Sequence, residues 1–224
     1  MELKAVVLDM DGTITTFNID YIELRRVALD LLTEMNLRTP DMNENLPVYS
    51  VLRRLKATID ADTYAVLRNR LYRLLEGVEM KAAQKVTIYP GVMDTLNYLQ
   101  KRALKLGLVT NNGRLGTNLT LSRLGLSGFF HAVVTRDDCE EMKPDAGPVR
   151  EVLRKLSVGV ENAILVGDGV LDIEAARATG LSSVAVATGP FSDKLIKSGP
   201  DYILGSINDV PELVELLDGN SRRK

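Results

Sequence analysis

The sequence predicts an α/β protein with a doubly wound, Rossmann-like parallel sheet, into which an all-helical segment is inserted. Short apolar runs without polar alternation recur along the chain, as expected for strands buried on both faces of a parallel sheet. From about residue 88 onward these runs alternate with helical patterns, which is typical of doubly wound domains. Five runs are expected to form strands: residues 5–8, 106–109, 132–134, 163–166 and 184–187.

Residues 16–87, which follow the first predicted strand, contain no strand pattern. Instead this stretch holds two helical stripes of apolar residues, separated by Pro40 and Pro47. The stripes consist of Leu24, Val27, Ala28, Leu31 and Met35, and of Tyr64, Leu67, Leu71, Leu74 and Val78. We therefore predict an α/β core formed by residues 1–15 and 88–224, with residues 16–87 as a helical cap inserted in the first crossover.

Two further helices are expected between the later strands. Val92, Leu96 and Leu99 are spaced as on one face of a helix that starts after a Pro-Gly pair. A similar apolar pattern at residues 149, 152, 153 and 156 predicts a helix that starts near Pro144, with this proline in its first turn.

The composition is that of an ordinary globular protein and excludes several classes of partner. The 224 residues are 45% hydrophobic and 26% charged, and 28 basic side chains face 30 acidic ones, so no basic excess favours nucleic acid. No apolar run approaches the roughly 20 residues that a membrane-spanning helix needs. Cys139 is the single cysteine, which excludes an intramolecular disulfide and suits a reducing compartment. We expect a cytoplasmic monomer or homodimer without a nucleic-acid or membrane partner.

Polar residues follow the predicted strands at the points where the strands end. Asp9 and Asp11 come after the first strand, Thr110 after the second, and Asp168 after the strand that ends at residue 166. Lys143 precedes a predicted helix. Ligands of open α/β sheets bind beyond the carboxyl ends of the strands, so these residues, which are distant in sequence, are expected to share one crevice.

The acidic members of this set suit phosphoryl transfer. Asp9 and Asp168 can hold a hard, oxygen-seeking cation such as Mg²⁺, which also contacts substrate phosphate. A carboxylate next to that cation can attack phosphorus and form an aspartyl-phosphate. Asp11, two residues beyond Asp9, can reach the leaving oxygen as a general acid and later deprotonate water. Asp172, four residues after Asp168, is expected to orient the metal or its waters from a helix start.

The remaining members supply donors for the phosphoryl oxygens. Lys143 offers an ammonium group and Thr110 a hydroxyl, while the turns at residues 11–13 and 111–113 offer backbone N–H groups. Gly12 allows the backbone to approach the phosphate closely. Because Lys143 precedes a proline, we expect it to be extended, with its side chain in the crevice.

Four segments together resemble the haloacid dehalogenase superfamily, in particular its phosphoglycolate phosphatase-like members with a helical cap. They are Asp9-Met10-Asp11-Gly12-Thr13, Leu108-Val109-Thr110-Asn111, Lys143-Pro144-Asp145, and Gly167-Asp168-Gly169 through Asp172. Two positions depart from the family pattern: Gly169 stands where Ser or Thr is usual, and the stretch after Thr13 lacks the Asp-Ser pair of many relatives.

The resemblance implies a role for each matching residue. It implies that Asp9 is the nucleophile and Asp11 the general acid/base. It implies that Thr110 and Lys143 stabilise the phosphate, which we expect to lie against the turns that contain Gly12 and Asn111. It further implies a Mg²⁺ ion held by Asp9, the carbonyl oxygen of Asp11 and Asp168, with Asp172 in support.

The expected function is therefore Mg²⁺-dependent hydrolysis of a small phosphomonoester through an aspartyl-phosphate on Asp9. A phosphosugar mutase, in which the phosphoryl group returns to a substrate hydroxyl, would use the same core. A phosphoaccepting signalling or binding protein is the alternative from a different class. A signalling receiver would place its phosphoacceptor near residues 50–60, where the pattern is helical.

Overall fold

The computed structural model describes residues 2–188 and 192–221. Strands and helices alternate after a first strand that is followed by three helices. In chain order the elements are β1 (Ala5–Leu8), α1 (Tyr21–Glu34), α2 (Val48–Lys56), α3 (Ala61–Ala83), α4 (Val92–Lys101), β2 (Lys105–Val109), α5 (Arg114–Arg123), β3 (Ala132–Val134), α6 (Gly147–Leu156), β4 (Ala163–Gly167), α7 (Val170–Thr179), β5 (Ser182–Val186), α8 (Ser192–Lys197), β6 (Tyr202–Leu204) and α9 (Val210–Ser221).

The strands form one parallel sheet of six strands in the order β3-β2-β1-β4-β5-β6. From β1 the sheet is built outward on one side through β2 and β3, and then on the other side through β4, β5 and β6. The topological switch point, where ligands of such sheets bind, therefore lies between β1 and β4. In register, Leu8 of β1 stands beside Leu108 of β2 and Val166 of β4. The residues that follow these three strands are therefore brought to the same edge of the sheet.

The predicted fold class is confirmed, because helices cover both faces of this parallel sheet. Alternate residues of β1 belong to different apolar clusters: Val6 and Leu8 pack with α4 and α9, whereas Ala5 and Val7 pack with α6 and α7. All four side chains are fully buried. Strands without polar alternation are the expected consequence of this arrangement.

The five strands expected from the sequence are all present: β1 and β3 have the predicted bounds, and the ends of the other three differ by at most two residues. The sixth strand, β6, is absent from the prediction, whereas β3, which is equally short and lies at the other edge of the sheet, was predicted because Ala132 and Val134 are apolar and buried. The middle residue of β6, Ile203, is 49% exposed, so no buried apolar run marks this strand in the sequence.

The prediction that a helix starts near Pro144 is wrong by three residues. Helix α6 begins at Gly147, and the proline in its first turn is Pro148. Residues 142–145 form a turn instead, in which the N–H of Asp145 donates to the carbonyl of Met142. The preference for proline in a first turn was assigned to the wrong one of two nearby prolines.

Residues 16–87, all of which are described, contain α1, α2 and α3 and no strand. These helices share an apolar cluster of their own, which includes Leu24, Leu31, Leu67 and Leu71. The predicted stripe on α3 is wrong at Leu74, which is 45% exposed, since the helix buries Leu75 instead. Among the described residues, no helix is both long enough and apolar enough to cross a membrane.

Gly107, in the middle of β2, lies directly against side chains of α6. A Cβ atom there would lie 2.7 Å from Val152 Cγ2 and 3.1 Å from Leu156 Cδ1. We expect Gly107→Ala to lower the free energy of unfolding by about 1–3 kcal/mol through overpacking. Urea denaturation measures this change.

Gly77 provides the matched control. It lies on the exposed face of α3, and a Cβ atom there would meet nothing within 4 Å. Gly77→Ala is expected to raise the free energy of unfolding by about 0.5–1 kcal/mol, because alanine has the higher helix propensity. Equal effects of the two substitutions would contradict the packing described for Gly107.

Candidate active site

The carboxyl edge of the sheet gathers the charged residues that the sequence singled out. Lys143 lies at the centre: its Nζ donates to Asp9 Oδ1 and to Asp172 Oδ1, each at 2.5 Å, and to the carbonyl of Val109 at 3.0 Å. Asp9, Asp172 and Lys143 are all buried. The side chain of Lys143 therefore enters the crevice, as its position before a proline predicted.

Asp9, Asp168 and Asp172 form a cluster that fits a divalent metal ion. One oxygen from each carboxylate lies within 4.8 Å of the others, and all three residues are buried. Carboxylate oxygens are hard ligands of the kind that Mg²⁺ prefers. The sequence reasoning placed Asp9 and Asp168 in this cluster and Asp172 at its margin, and the structure brings the three together.

The backbone at Gly12 lies directly against the carboxylate of Asp168. Gly12 has a φ of +87°, in the left-handed region, and a Cβ atom at this position would lie 2.0 Å from Asp168 Oδ2. Any side chain here would collide with the carboxylate in addition to straining the backbone. Gly12 is thus required by the close approach of the first turn to Asp168.

The sequence reasoning missed the side chain of Thr13, which contacts two of the acids. Its buried hydroxyl lies 3.3 Å from Asp9 Oδ2 and 3.5 Å from Asp168 Oδ1, so it reaches the two acids that follow β1 and β4. A threonine hydroxyl can donate to one of these carboxylates at a time.

The site carries more negative than positive charge. Burial raises the pKa of Asp9 above that of an ordinary aspartate, although the neighbouring ammonium of Lys143 opposes the shift. Burial and the charge of Asp9 raise the pKa of Asp168 as well. Burial alone would lower the pKa of Lys143, but the carboxylates of Asp172 and Asp9 outweigh it and raise that pKa. A bound cation would relieve the same repulsion between the acids.

Asp11 lies beside this cluster in a more accessible position. Its Oδ2 accepts a hydrogen bond of 2.5 Å from Asn112 Nδ2, and its Oδ1 lies 3.4 Å from the hydroxyl of Thr15. Burial, reinforced by the charge of Asp9, raises the pKa of Asp11 to about 7. A carboxyl group with a pKa in this range can both donate and accept a proton near neutral pH.

A small cavity of about 10 Å³ adjoins Asp11. Its lining combines the segment after β1, α3 and α5, with Asn18, Glu79 and Asn112 as polar groups. A volume of this size holds about one water molecule.

Thr110 and Asn111 follow β2 in the same crevice. The hydroxyl of Thr110 accepts the backbone N–H of Asn112 at 3.1 Å. The side-chain amide of Asn111 donates to the carbonyl of Lys143 and accepts its N–H, each at 2.9 Å. The side chain of Asn111 thus holds the backbone of Lys143, which leaves its role toward phosphate a prediction.

The turns after β1 and β2 offer fewer N–H groups to a phosphate than the sequence suggested. The N–H of Gly12 donates to the carbonyl of Thr15, and that of Asn112 to Thr110. The N–H of Gly113 donates to the carboxylate of Glu79 at 3.0 Å. Internal contacts of the turns therefore use several of these donors.

Glu79 and Arg136 form a buried ion pair that the sequence reasoning missed. A signal for Glu79 exists: Leu71, Leu75 and Ala83 are buried at spacings of four residues along α3, and Glu79 occupies the intervening position of that stripe. An acid on an apolar stripe indicates a buried partner. Arg136, in the loop after β3, carries no comparable signal.

Comparisons with known proteins identify the family of the chain. The sequence profile described as haloacid dehalogenase-like hydrolase matches residues 6–186. The chain is 31% identical to Pyrophosphatase PpaX of Bacillus velezensis over 211 residues, which cover 93% of this chain and 94% of the relative. It is 34% identical to the phosphoglycolate phosphatase of Escherichia coli K12 over 158 residues, which cover 69% and 63% of the two chains.

Solved structures show the same fold. A HAD phosphatase from Thermococcus onnurineus matches with a TM-score of 0.61 and 24% identity, over 95% of this chain and 98% of that one. A hydrolase from Pseudomonas syringae matches with a TM-score of 0.64 and 21% identity, over 96% of this chain and 98% of that one. Because the family profile spans well over half of the sequence, the chain belongs to the haloacid dehalogenase-like hydrolases.

Proposed function

We propose that the chain is a Mg²⁺-dependent phosphatase that hydrolyses a small phosphomonoester through an aspartyl-phosphate on Asp9. The observation that carries this proposal is the buried cluster of Asp9, Asp168 and Asp172 around the ammonium group of Lys143. Relatives named as a pyrophosphatase and as phosphoglycolate phosphatases support phosphate chemistry.

In the first step a carboxylate oxygen of Asp9 attacks the phosphorus atom of the bound ester. A P–O bond to Asp9 forms, and the bond from phosphorus to the ester oxygen breaks with its electron pair on that oxygen. Asp11 transfers its proton to the leaving oxygen, and the alcohol departs. Asp9 is suited to this attack because Lys143 fixes one of its two oxygens.

In the second step water hydrolyses the aspartyl-phosphate. Asp11, now a carboxylate, removes a proton from the water as its oxygen attacks phosphorus. The P–O bond to Asp9 breaks, which regenerates the Asp9 carboxylate and releases inorganic phosphate. Asp11 ends the cycle protonated, as it began.

A Mg²⁺ ion would be held by Asp9 and Asp168, with Asp172 in support. The family resemblance adds the carbonyl oxygen of Asp11 as a third ligand. When bound, the ion neutralises charge on the phosphoryl oxygens and on the acids that surround them. Lys143 and the hydroxyl of Thr110 add positive charge and a hydrogen-bond donor for the same oxygens, beside Asn111. The N–H of Gly12 already donates to the carbonyl of Thr15, so Gly12 contributes close approach of the backbone to the phosphate.

We also propose that residues 16–87 form a cap over a core of residues 1–15 and 88–224. The separate apolar cluster of α1, α2 and α3 supports this division. The cavity beside Asp11 is lined from both parts, since Ala82 and Glu79 belong to α3 and Gly116 to α5. A cap in this position would exclude water from the leaving group and select the substrate.

A phosphosugar mutase differs from this proposal only in the acceptor of the phosphoryl group. A signalling receiver fits less well, because residues 50–56 lie within α2 and carry no phosphoacceptor at a strand end. The observed strand order also differs from the 2-1-3-4-5 order of receiver-like sheets.

The central test is phosphate release from a panel of phosphorylated compounds in the presence of Mg²⁺. The panel contains phosphoglycolate, sugar phosphates, nucleotides, pyrophosphate and aryl phosphates. We expect Asp9→Asn to lower kcat on the best substrate by on the order of 10⁴-fold or more, because no nucleophile remains. Asp30→Asn, an exposed substitution on α1, is the control.

Absence of any phosphate release by the wild type beyond that of Asp9→Asn would overturn the hydrolase proposal. Transfer of the phosphoryl group to a sugar hydroxyl, seen as an isomeric sugar phosphate in place of inorganic phosphate, would identify the mutase.

Asp11→Asn separates proton transfer from binding. We expect this variant to keep Mg²⁺ and substrate binding while kcat falls by about 10²–10⁴-fold, because the amide cannot supply or accept the proton. Calorimetric titration with Mg²⁺, the KM for the best substrate, and kcat measure the three quantities. Loss of metal binding together with activity would contradict the role assigned to Asp11.

Lys143→Met removes the cation that lies between Asp9 and Asp172. We expect the variant to lose about 3–5 kcal/mol of stability, because the buried carboxylates are left unpaired. Mg²⁺ is expected to raise its Tm by more than it raises that of the wild type, since the metal then supplies the only compensating charge at the cluster.

Thermal unfolding with and without Mg²⁺ measures this difference. Lys4→Met, which removes an exposed lysine paired with Glu2, serves as the control and is expected to show the wild-type response. A Tm of Lys143→Met that does not respond to Mg²⁺ would argue against a metal site at Asp9, Asp168 and Asp172.

A further inference from the structure

The ion pair of Glu79 and Arg136 lies in the interior, between α3 and the loop that follows β3. The two side chains are only 3% and 2% exposed, and Arg136 Nη1 donates to Glu79 Oε1. Removing two charges from water costs more than their attraction returns unless further hydrogen bonds satisfy them. The other hydrogen bonds that the two side chains make therefore indicate the role of the pair.

Both partners hold the turn that follows β2. Glu79 Oε2 accepts the N–H of Gly113 at 3.0 Å, and Arg136 Nη1 donates to the carbonyl of Asn111 at 3.3 Å. The backbone N–H of Arg136 donates to the carbonyl of Asn112 at 3.1 Å. Each of the three residues of the turn is thus bonded to one member of the pair.

The turn also packs closely against the side chains of Glu79 and Arg136. A Cβ atom on Gly113 would lie 2.8 Å from Arg136 Nη2 and 3.2 Å from Glu79 Oε2. A Cβ atom on Gly116, one turn of helix further on, would lie 3.1 Å from Glu79 Cβ. The position of the turn relative to α3 is therefore fixed by steric contact as well as by hydrogen bonds.

Arg136 is itself held from the side of α3. Its Nη2 donates to the carbonyl of Tyr72 at 3.2 Å, and its guanidinium lies over the Tyr72 ring, 4.9 Å from the centroid. A planar guanidinium that is bonded and stacked in this way has little rotational freedom. The pair is thus a rigid support.

On its other side the turn reaches the reacting groups. The side chain of Asn112 donates to Asp11 Oδ2, and the side chain of Asn111 holds the backbone of Lys143 through two hydrogen bonds. The turn at residues 111–113 is therefore bonded to Asp11 through Asn112 and to Lys143 through Asn111.

We propose that Glu79 and Arg136 are positioning residues, which orient Asp11 and Lys143 through the turn at residues 111–113. This inference rests on the function proposed above, in which Asp11 protonates the leaving oxygen. A displacement of about 1 Å in a reacting group can cost on the order of 10²-fold in rate, so a rigid support two contacts away from Asp11 affects turnover. The same support makes the reacting groups depend on α3, a helix of the proposed cap.

The test replaces both charges at once, in Glu79→Met/Arg136→Met, because apolar replacement of a buried pair often preserves the fold. The variant is compared with the wild type on phenyl phosphate and 4-nitrophenyl phosphate. Phenolate is the more basic leaving group and depends on the proton from Asp11, whereas 4-nitrophenolate departs with little assistance. The value of kcat/KM reports the steps up to and including the breaking of that ester bond.

We expect kcat/KM for phenyl phosphate to fall at least about 10-fold more than kcat/KM for 4-nitrophenyl phosphate. A partial loss of folded protein lowers both values equally, so the ratio distinguishes positioning from stability. Lys56→Met is the matched control, because it breaks the exposed pair of Lys56 with Glu140 and touches none of the turn. Its ratio is expected to equal that of the wild type.

Asn112→Ala provides a second variant that does not disturb the buried pair. It removes the hydrogen bond to Asp11 and is expected to reproduce the selective loss on phenyl phosphate. A wild-type ratio in Asn112→Ala, or in a folded Glu79→Met/Arg136→Met protein, overturns the inference. Failure of the wild type to hydrolyse any phosphate ester would instead count against the proposed function, which separates the two results.

Discussion

The arrangement of the site follows from a single electrostatic constraint: three buried carboxylates share the neighbourhood of one lysine. Asp9, Asp168 and Asp172 converge because β1 and β4 are neighbours in a parallel sheet, and α7 starts immediately after β4. Lys143 bonds two of these acids, which leaves a net negative charge away from water. Such a charge is costly unless a cation compensates it. A bound divalent cation would meet that requirement, because its positive charge would compensate the carboxylates and the oxygens of a phosphorylated substrate.

The same constraint explains the backbone around the acids. The left-handed turn at Gly12 allows the chain to pass against the carboxylate of Asp168, where no Cβ atom fits. The hydroxyl of Thr13 then faces the two acids from the same turn. Across the crevice, the side chain of Asn111 fixes the backbone of Lys143, which keeps the ammonium between its acidic partners. The conformations of the turns after β1 and β2 are therefore tied to the positions of the charged side chains beside them.

Much of this architecture could be predicted from the sequence, because buried parallel strands have an apolar pattern and their ends converge. That reasoning placed Asp9, Asp11 and Asp168 at one edge of the sheet. The family resemblance added roles that the pattern alone does not give. Contacts between elements distant in the chain were missed, and Glu79 with Arg136 is the clearest case. The edge strand β6 was missed because its three residues are not buried. The start of α6 at Gly147 was misplaced because two prolines, Pro144 and Pro148, lie close together and either could begin a helix.

The contacts that were missed connect the proposed cap to the chemistry. Helix α3 belongs to the apolar cluster of the cap, yet Glu79 on that helix is bonded to the turn that follows β2. A cap whose only attachments were its two linkers could move without disturbing Asp11. Here a shift of α3 would have to carry Gly113 with it or leave the buried charge of Arg136 unpaired, and the second outcome is strongly unfavourable. The position of α3 and the geometry of Asp11 and Lys143 are therefore coupled by the cost of leaving a buried charge unpaired. Under the proposed function, substrate recognition by the cap would act on the same turn that holds Asp11.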